Sequence, residues 1–371
     1  MKLTKNHSTK LLLLLLFSSS GLIGCNSGST GTSGVTYAPF GCNGNNNVSF
    51  PGVSGVREVE SNSSQVYVTG VYVENGGNHS FLYQGPVTGG GVCNKFNYPS
   101  TPGNTVTSTS LYGPDNDGYG DVVVVGSYTN LESGPIAQQG LLYIGAADGS
   151  TLSGYKTLYP ASLVTNESDS IINTLGHSTM GGIAVGNYDT RLITGQSFIY
   201  NINTDTYYPL HKPGAEGVSI TAYGIWYNGG TSYTITGGYS DVAIGGVNIG
   251  FITDWDSTTQ TISNFTTLNY NNLLGSEVAV HFEGITSDDK GGYNLAGDWN
   301  YPNQQTTPTL AHITRNADGS FAAPTWSPYS YYPGASWTSA NTIYKNYILG
   351  LYQAGTPTTN CGYVATIPVN N

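Results

Sequence analysis

A six-fold repeat constrains the fold of this chain more than any other feature of its sequence. In each copy a short run of β-forming residues leads into a glycine, then any residue, then an aromatic residue. The six aromatic positions are Tyr72, Tyr128, Tyr188, Tyr239, Trp299 and Tyr352, so consecutive copies are 51 to 60 residues apart. A period of this length indicates a repeat architecture, in which each repeat is one supersecondary unit that stacks on its neighbours.

Each repeat has room for four short strands. One strand precedes the glycine motif, as at residues 221–225, and two follow it, as at residues 197–200 and 207–210. Four antiparallel strands in about 50 residues are typical of one propeller blade. We therefore predict an all-β fold over residues 36–371, a six-bladed β-propeller of four-stranded antiparallel blades. The repeated glycine is expected to let neighbouring blades approach closely, and the aromatic residue to fill the wedge between them.

The last repeat lacks a fourth strand of its own, because the sequence given stops shortly after its third strand at residues 363–367. The segment 35–40 near the N-terminus resembles the fourth strand of the second repeat, at residues 155–160. We predict that this N-terminal strand completes the last blade and closes the ring. Such closure removes an exposed sheet edge.

The N-terminus has the pattern of a bacterial lipoprotein. Three lysines precede an apolar run at residues 11–17, which is shorter than the roughly 20 residues needed to cross a bilayer. Leu22-Ile23-Gly24-Cys25 matches the lipobox, so residues 1–24 are predicted to be a signal peptide and Cys25 the lipidated residue. A Gly/Ser/Thr linker at residues 25–35 would tether the propeller. We expect anchoring in the bacterial cell envelope, and Asn26 in place of aspartate favours the outer membrane.

The cysteines predict one disulfide. The chain has four of them, and with Cys25 assigned to lipid an odd number remains in an oxidising compartment. Antiparallel pairing of the closing strand places Cys42 beside the start of the last strand. The prediction is therefore a Cys42–Cys361 bond with Cys93 unpaired, and the alternative is a Cys42–Cys93 bond.

The fourth repeat resembles the HAF-type extracellular repeat. It reads Thr221-Ala222-Tyr223-Gly224-Ile225, then Asn228-Gly229, then Ile235-Thr236-Gly237-Gly238-Tyr239, then Gly250-Phe251. The HAF-type pattern runs Thr-x-Ala-x-Gly-Ile-Asn, a glycine turn, Ile-Val-Gly-x-Tyr, and Gly-Phe-Leu-Tyr. The resemblance implies an extracellular, propeller-like protein, and it implies no particular activity.

One acidic loop predicts a calcium site. Asp115-Asn116-Asp117-Gly118-Tyr119-Gly120-Asp121 resembles the calcium loops of integrin-type propeller repeats, with Asp115, Asp117 and Asp121 as the oxygen ligands. The pattern departs at the first position, where Gly113 stands in place of an aspartate. The alternative is a polar hairpin turn, in which Asp, Asn and Gly are the expected residues. No other cofactor is predicted.

Catalytic candidates are few. His281 and Glu283 are two residues apart in the first strand of the fifth repeat, so they share a face that lines the channel of a propeller. One histidine and one carboxylate could act as acid and base, and the alternative is a solvated channel lining. His177-Ser178 lacks the Gly-x-Ser-x-Gly context of a nucleophile elbow.

Charge and aromatic content bear on the partners. Only 9% of residues are charged and the net charge is −11, so the composition lacks the excess of basic residues that binds nucleic acid. Tryptophans beside Asn and Asp could form platforms for sugar rings. We predict a non-enzymatic binding or adhesion module, held at the membrane by its lipid, with an unknown protein or glycan as ligand. The alternatives are an extracytoplasmic enzyme acting on glycan or peptide through Glu283 and His281, and a structural part of an envelope complex.

Overall fold

The computed structural model describes residues 29–30, 34–42, 52–60, 63–74, 77–132, 134, 136–215, 217–241, 246–270, 279–300, 306–328, 332–354 and 359–368. These residues form six antiparallel sheets and two short 3₁₀-helices, Leu152–Gly154 and Ala161–Leu163. None of the helices in these ranges has the length and apolar composition needed to cross a bilayer. The predicted Cys25 and the signal peptide lie outside the described residues.

Six sheets correspond to the six predicted blades. Two N-terminal strands come first, β1 (Ser29–Thr30) and β2 (Thr36–Pro39). Blade one contains β3 (Gly52–Glu58), β4 (Gln65–Glu74), β5 (Gly77–Pro86) and β6 (Val92–Phe96). Blade two contains β7 (Val106–Asn116), β8 (Val122–Asn130), β9 (Gln139–Gly145) and β10 (Tyr155–Leu158). Blade three contains β11 (Ile171–Met180), β12 (Ile183–Thr190), β13 (Gln196–Asn201) and β14 (Thr206–Leu210).

The other three blades have the same up-and-down order. Blade four contains β15 (Ser219–Gly229), β16 (Ser232–Asp241), β17 (Val247–Asp256) and β18 (Thr261–Leu268). Blade five contains β19 (Ala279–Ser287), β20 (Tyr293–Asn300), β21 (Thr307–Ile313) and β22 (Thr325–Pro328). Blade six contains β23 (Trp337–Tyr344), β24 (Tyr347–Ala354) and β25 (Thr359–Thr366), followed in the sheet by β2 and β1.

The first strands of the blades meet around a central axis. Each first strand lies beside the first strand of the next blade, and β23 of blade six lies beside β3 of blade one. The fold is therefore a closed six-bladed propeller, as the repeat predicts. The N-terminal strand closes it, because β2 pairs with β25 in the register Thr36↔Thr366 to Pro39↔Tyr363.

The second strand of each blade is sandwiched between neighbours. In β8 the seven residues from Val122 to Tyr128 are all buried, because both faces of the blade pack against other blades. The repeat aromatic Tyr128 packs with Tyr67, Leu82 and Phe96 of blade one. Tyr352 of blade six likewise packs with Ala296 and Leu310 of blade five. The aromatic residue of the repeat thus fills the wedge against the preceding blade, as predicted.

The disulfide prediction is wrong in its pairing. Cys42 is bonded to Cys93 of blade one, with the two Cα atoms 5.7 Å apart, and not to Cys361. Alternation along a strand explains the error, because residues on opposite faces of a sheet cannot pair. Cys42 packs on the face of blade six that carries Val364 and covers blade one. Cys361 lies on the other face, with Tyr363 and Ala365.

Candidate functional site

Every first strand carries a bulge at the same level of the channel. In each blade the pairing between the first and second strands shifts register, which leaves at least one residue of the first strand unpaired. All six of these residues are partly exposed, whereas the residues that flank them are buried. We call them the channel ring: Ser54, Tyr112, His177, Tyr223, Glu283 and Asn341.

The repeated glycine explains where the bulges lie. Gly237 pairs with Ala222, the residue just before the bulge at Tyr223, and a Cβ on it would overlap the carbonyl oxygen of Thr221. The other five motif glycines occupy the same place in their blades. The glycine therefore makes room for the strand inside its own blade, so the expectation that it serves the approach of neighbouring blades is wrong.

A different small residue allows neighbouring blades to approach each other closely. The residue that follows each ring position is glycine, serine or threonine. A Cβ on Gly284 would lie 2.7 Å from the Cα of Thr342 in blade six, and one on Gly113 would lie 2.6 Å from the Cα of Ser178. Adjacent first strands are therefore in backbone contact here, and the channel is narrow at the level of the ring.

Blade five brings together three ionisable side chains. His281 Nε2 lies 3.1 Å from Glu283 Oε1, and the two side chains are 27% and 31% exposed. Asp298 stands directly opposite His281 in the β19–β20 ladder and is buried. Its Oδ1 accepts a hydrogen bond of 2.8 Å from the backbone N–H of Ala340 in blade six. The sequence placed His281 and Glu283 in the channel, and it missed Asp298.

The protein environment changes the pKa values of this cluster. Burial, with the negative charge of Glu283 as the second cause, raises the pKa of Asp298 from 3.8 to about 8. Burial alone would lower the pKa of His281, but the hydrogen bond and charge of Glu283 outweigh it, so this pKa is raised above 6.5. A buried carboxyl group that keeps its proton at neutral pH thus lies beside the His281–Glu283 contact, and perturbed groups of this kind are typical of functional sites.

Aromatic rings continue the channel ring away from Glu283. Tyr112, His177 and Tyr223 follow one another around the axis, with ring centroids 5.2 Å and 4.8 Å apart in edge-to-face contact. His177 Nε2 lies 2.6 Å from Asn187 Oδ1, and burial lowers the pKa of His177. Burial also raises the pKa of Tyr112 to about 12. These three rings are therefore neutral at physiological pH.

Arg57 closes the channel on one side of the ring. It belongs to blade one, and its Nη2 donates a hydrogen bond of 3.0 Å to the carbonyl oxygen of Ile225 in blade four, on the other side of the axis. The guanidinium lies 5.3 Å from the ring centroid of Trp226. A ligand therefore reaches the channel ring from the other side, where His281 and Asp298 lie.

The predicted calcium ligands do not converge. Asp115 is buried, and its Oδ2 accepts a 2.9 Å hydrogen bond from the backbone N–H of Gly181. Asp117 Oδ1 instead accepts hydrogen bonds from the N–H groups of Tyr119 and Asp121, at 2.7 and 3.0 Å. In the described ranges no three His, Cys, Asp or Glu side chains are arranged to hold a metal ion. The loop has the hydrogen bonds of a hairpin turn, the alternative interpretation of the same sequence.

Four of the five tryptophans pack against the core between blades. Trp255 is 2% exposed, and Trp299 and Trp326 pack against the core between blades four and five. Trp226 packs against the same core, and the Arg57 guanidinium lies 5.3 Å from its ring centroid. Sequence reasoning therefore missed the aromatic surface that does face the channel, which tyrosine and histidine form.

Comparison with known proteins finds similarity in structure alone. No protein-family model and no curated protein matches this sequence. An α-L-arabinanase from Penicillium chrysogenum complexed with arabinobiose has a TM-score of 0.46 and 12% identity, over 85% of this chain and 93% of that one. An α-L-arabinofuranosidase from Podospora anserina in complex with cellotriose has a TM-score of 0.40 and 9% identity, over 89% and 95%. The polysaccharide lyase Uly1 has a TM-score of 0.42 and 10% identity, over 90% and 97%. At these identities the likeness concerns the fold.

Proposed function

We propose that the protein is an enzyme that cleaves a neutral glycan at the channel ring. The observation that carries this proposal is the contact between Glu283 and His281 beside the buried Asp298. A glutamate and a histidine side chain in one cleft can take a proton from a substrate and give one to it. Glu283 and His281 are the groups that reach the channel, and Asp298 is a buried carboxyl group that stands opposite His281 in the β19–β20 ladder.

The rest of the channel ring favours a sugar as ligand. Apart from Glu283 it offers hydroxyl, amide and neutral aromatic groups, from Ser54, Asn341 and the three rings. Aromatic faces and edges pack on the apolar surface of a sugar, while hydroxyls and amides bond its hydroxyl groups. Five of the six ring residues carry no charge, so a neutral glycan matches most of this lining.

Activity on a panel of neutral polysaccharides tests the proposal. Product release is followed by chromatography and mass spectrometry, which detect cleavage whether it is hydrolytic or eliminative. Glu283→Gln should lower turnover at least about 100-fold, because general acid–base groups contribute rate factors of this size. Asp318→Asn is the matched control, since Asp318 is an exposed carboxylate in a hairpin turn. Equal rates for the wild type and Glu283→Gln would contradict the proposal.

A binding or adhesion module is the second candidate, and one observation favours it. The cavity at the channel ring holds only about 10 Å³, so a sugar would rest at the mouth of the channel. Glycan-array binding without cleavage, retained in Glu283→Gln, would identify the protein as such a module.

We also propose that the propeller is displayed in the cell envelope on a lipid at Cys25. The Cys42–Cys93 bond supports a location outside the cytoplasm, because disulfides persist in oxidising compartments. Labelled fatty acid should be incorporated into the wild type and not into Cys25→Ala. Equal labelling of the two proteins would refute the anchor.

A further inference from the structure

A small cavity lies on the channel axis between the channel ring and Arg57. Residues of all six blades line it, among them Arg57, Gly113, His177, Gly224, Glu283 and Thr342. Its volume is about 10 Å³. That is close to the space of one solvent-sized sphere, which a single water molecule needs. The lining is mostly polar, as a water site requires.

Arg57 has an unused donor at this cavity. The side chain is 5% exposed, and its Nε has no hydrogen-bond partner among the described protein groups. Its Nη2 already donates to Ile225, which fixes the plane of the guanidinium across the channel. A buried donor without a partner destabilises the fold, and more so when it is charged, so such groups are rarely left unsatisfied.

Glu283 supplies a matching acceptor in the same cavity. It is the one carboxylate among the residues of this lining, and its Oε1 bonds His281 while the group retains further acceptor capacity. A water molecule has one oxygen to accept a bond from Arg57 and two hydrogens to donate. A buried water with about three polar partners is the usual way in which such groups are satisfied.

We propose that this cavity is a binding site for one water molecule, which accepts a hydrogen bond from Arg57 Nε and donates one to the carboxylate of Glu283. The inference of this water site depends only on the geometry of the channel. Its functional consequence rests on the proposed function. The water then lies against the acid–base pair on the closed side of the channel, opposite the side from which the glycan arrives, and Arg57 is the positioning residue that holds it there.

A high-resolution crystal structure of the full protein tests the site directly. We expect one ordered water within hydrogen-bond distance of Arg57 Nε and of a Glu283 oxygen. An empty cavity, or an Arg57 Nε bonded to a protein group, would overturn the proposal. This measurement needs no variant, so it stands even where Arg57→Met does not fold.

The Arg57→Met variant tests the consequence. It keeps an unbranched side chain and removes the donor, so the water should be lost and kcat should fall about 100-fold with little change in KM, since a misplaced group can cost this much. Arg191→Met, at an exposed arginine, is the control and should leave both constants unchanged. An ordered water with no turnover of any glycan would refute the proposed function and leave the site standing. Turnover without the water would refute only the site.

Discussion

Cys42, which follows β2 in blade six, is bonded to Cys93 in β6, the outermost strand of blade one. The seam where the ring closes is thus held by a covalent bond between blades as well as by the β2–β25 pairing within blade six. The bond ties β2 to blade one, so blade six can separate from blade one only by breaking the β2–β25 pairing, which would expose β25 as a sheet edge.

Removal of this bond should destabilise the ring. The two cysteines are 51 residues apart, and the chain-entropy model gives about 4 kcal/mol for a loop of this length. We expect Cys93→Ser to lower the free energy of unfolding by an amount of this order, measured by urea denaturation. A non-reducing peptide map that joins Cys42 to Cys361 would contradict the pairing.

The motif glycine should be intolerant of any side chain. In Gly237→Ala the new Cβ overlaps the carbonyl oxygen of Thr221 in the neighbouring strand. Forcing an extra methyl group into a packed interior costs about 1–3 kcal/mol, so the midpoint of thermal unfolding should fall. Gly217→Ala is the matched control, because nothing lies within 4 Å of a Cβ there. Equal unfolding midpoints for the two variants would show that the bulge adjusts freely.

The bulge marks the limit of what the sequence predicts. The period and strand pattern predict the blades, their number and the closing strand, because each depends on local periodicity and on the need to cover sheet faces. The bulge does not follow from the period. It depends on the contact between first strands of different blades, as between Gly284 and Thr342. The sequence therefore does not predict the channel ring, although it does predict His281 and Glu283, two of the three ionisable residues that come together in blade five.

Asp298 could have been found from the repeat. It is the middle residue of Gly297-Asp298-Trp299, and the equivalent positions in the other blades carry no acid. The middle residue stands opposite the first strand, so a lone aspartate there faces the channel lining.

The error in the predicted disulfide pairing has a different origin. Strand order brings Cys42 near Cys361, but the face of each side chain depends on register, which a one-residue shift reverses.

Asp298 should make stability depend on pH. Its pKa is about 8 in the folded protein and near 3.8 in an unfolded chain. Between these values the folded state keeps a proton that the unfolded state has lost, so the free energy of unfolding falls as pH rises. The limiting slope is about 1.4 kcal/mol per pH unit. Asp298→Asn removes this titration, and the variant should lose less stability than the wild type between pH 5 and pH 8.

Denaturation curves at several pH values measure this slope. Asp318→Asn is the control, because hydrogen bonds from Ser320 hold the pKa of Asp318 below 3.8 and so outside the window. The prediction fails where Asp298→Asn keeps the slope of the wild type.

Glu283 should control the protonation of His281. The Glu283→Gln variant removes the negative charge and weakens the hydrogen bond, while the burial of His281 remains. Burial acts to lower this pKa, so the pKa of His281 should be lower in the variant than in the wild type. Titration of the histidine ring protons by NMR measures the change. Glu132→Gln, at an exposed loop, should leave the His281 titration where it is in the wild type.

Tyr37 should matter to the ring as much as any core residue, although it lies near the N-terminus. It is 1% exposed, and its ring contacts Tyr332 and Tyr363 at centroid distances of 5.6 and 5.7 Å. Loss of a buried aromatic side chain costs about 3–5 kcal/mol, so Tyr37→Ala should lower the free energy of unfolding by this much. The variant should also speed amide exchange in β25, because β2 shields that strand. Tyr119→Ala, at a tyrosine that is 95% exposed, should change stability by less than about 0.5 kcal/mol. If the two variants were equally stable, β2 would be an appendage of the propeller and the ring would be closed by the other strands alone.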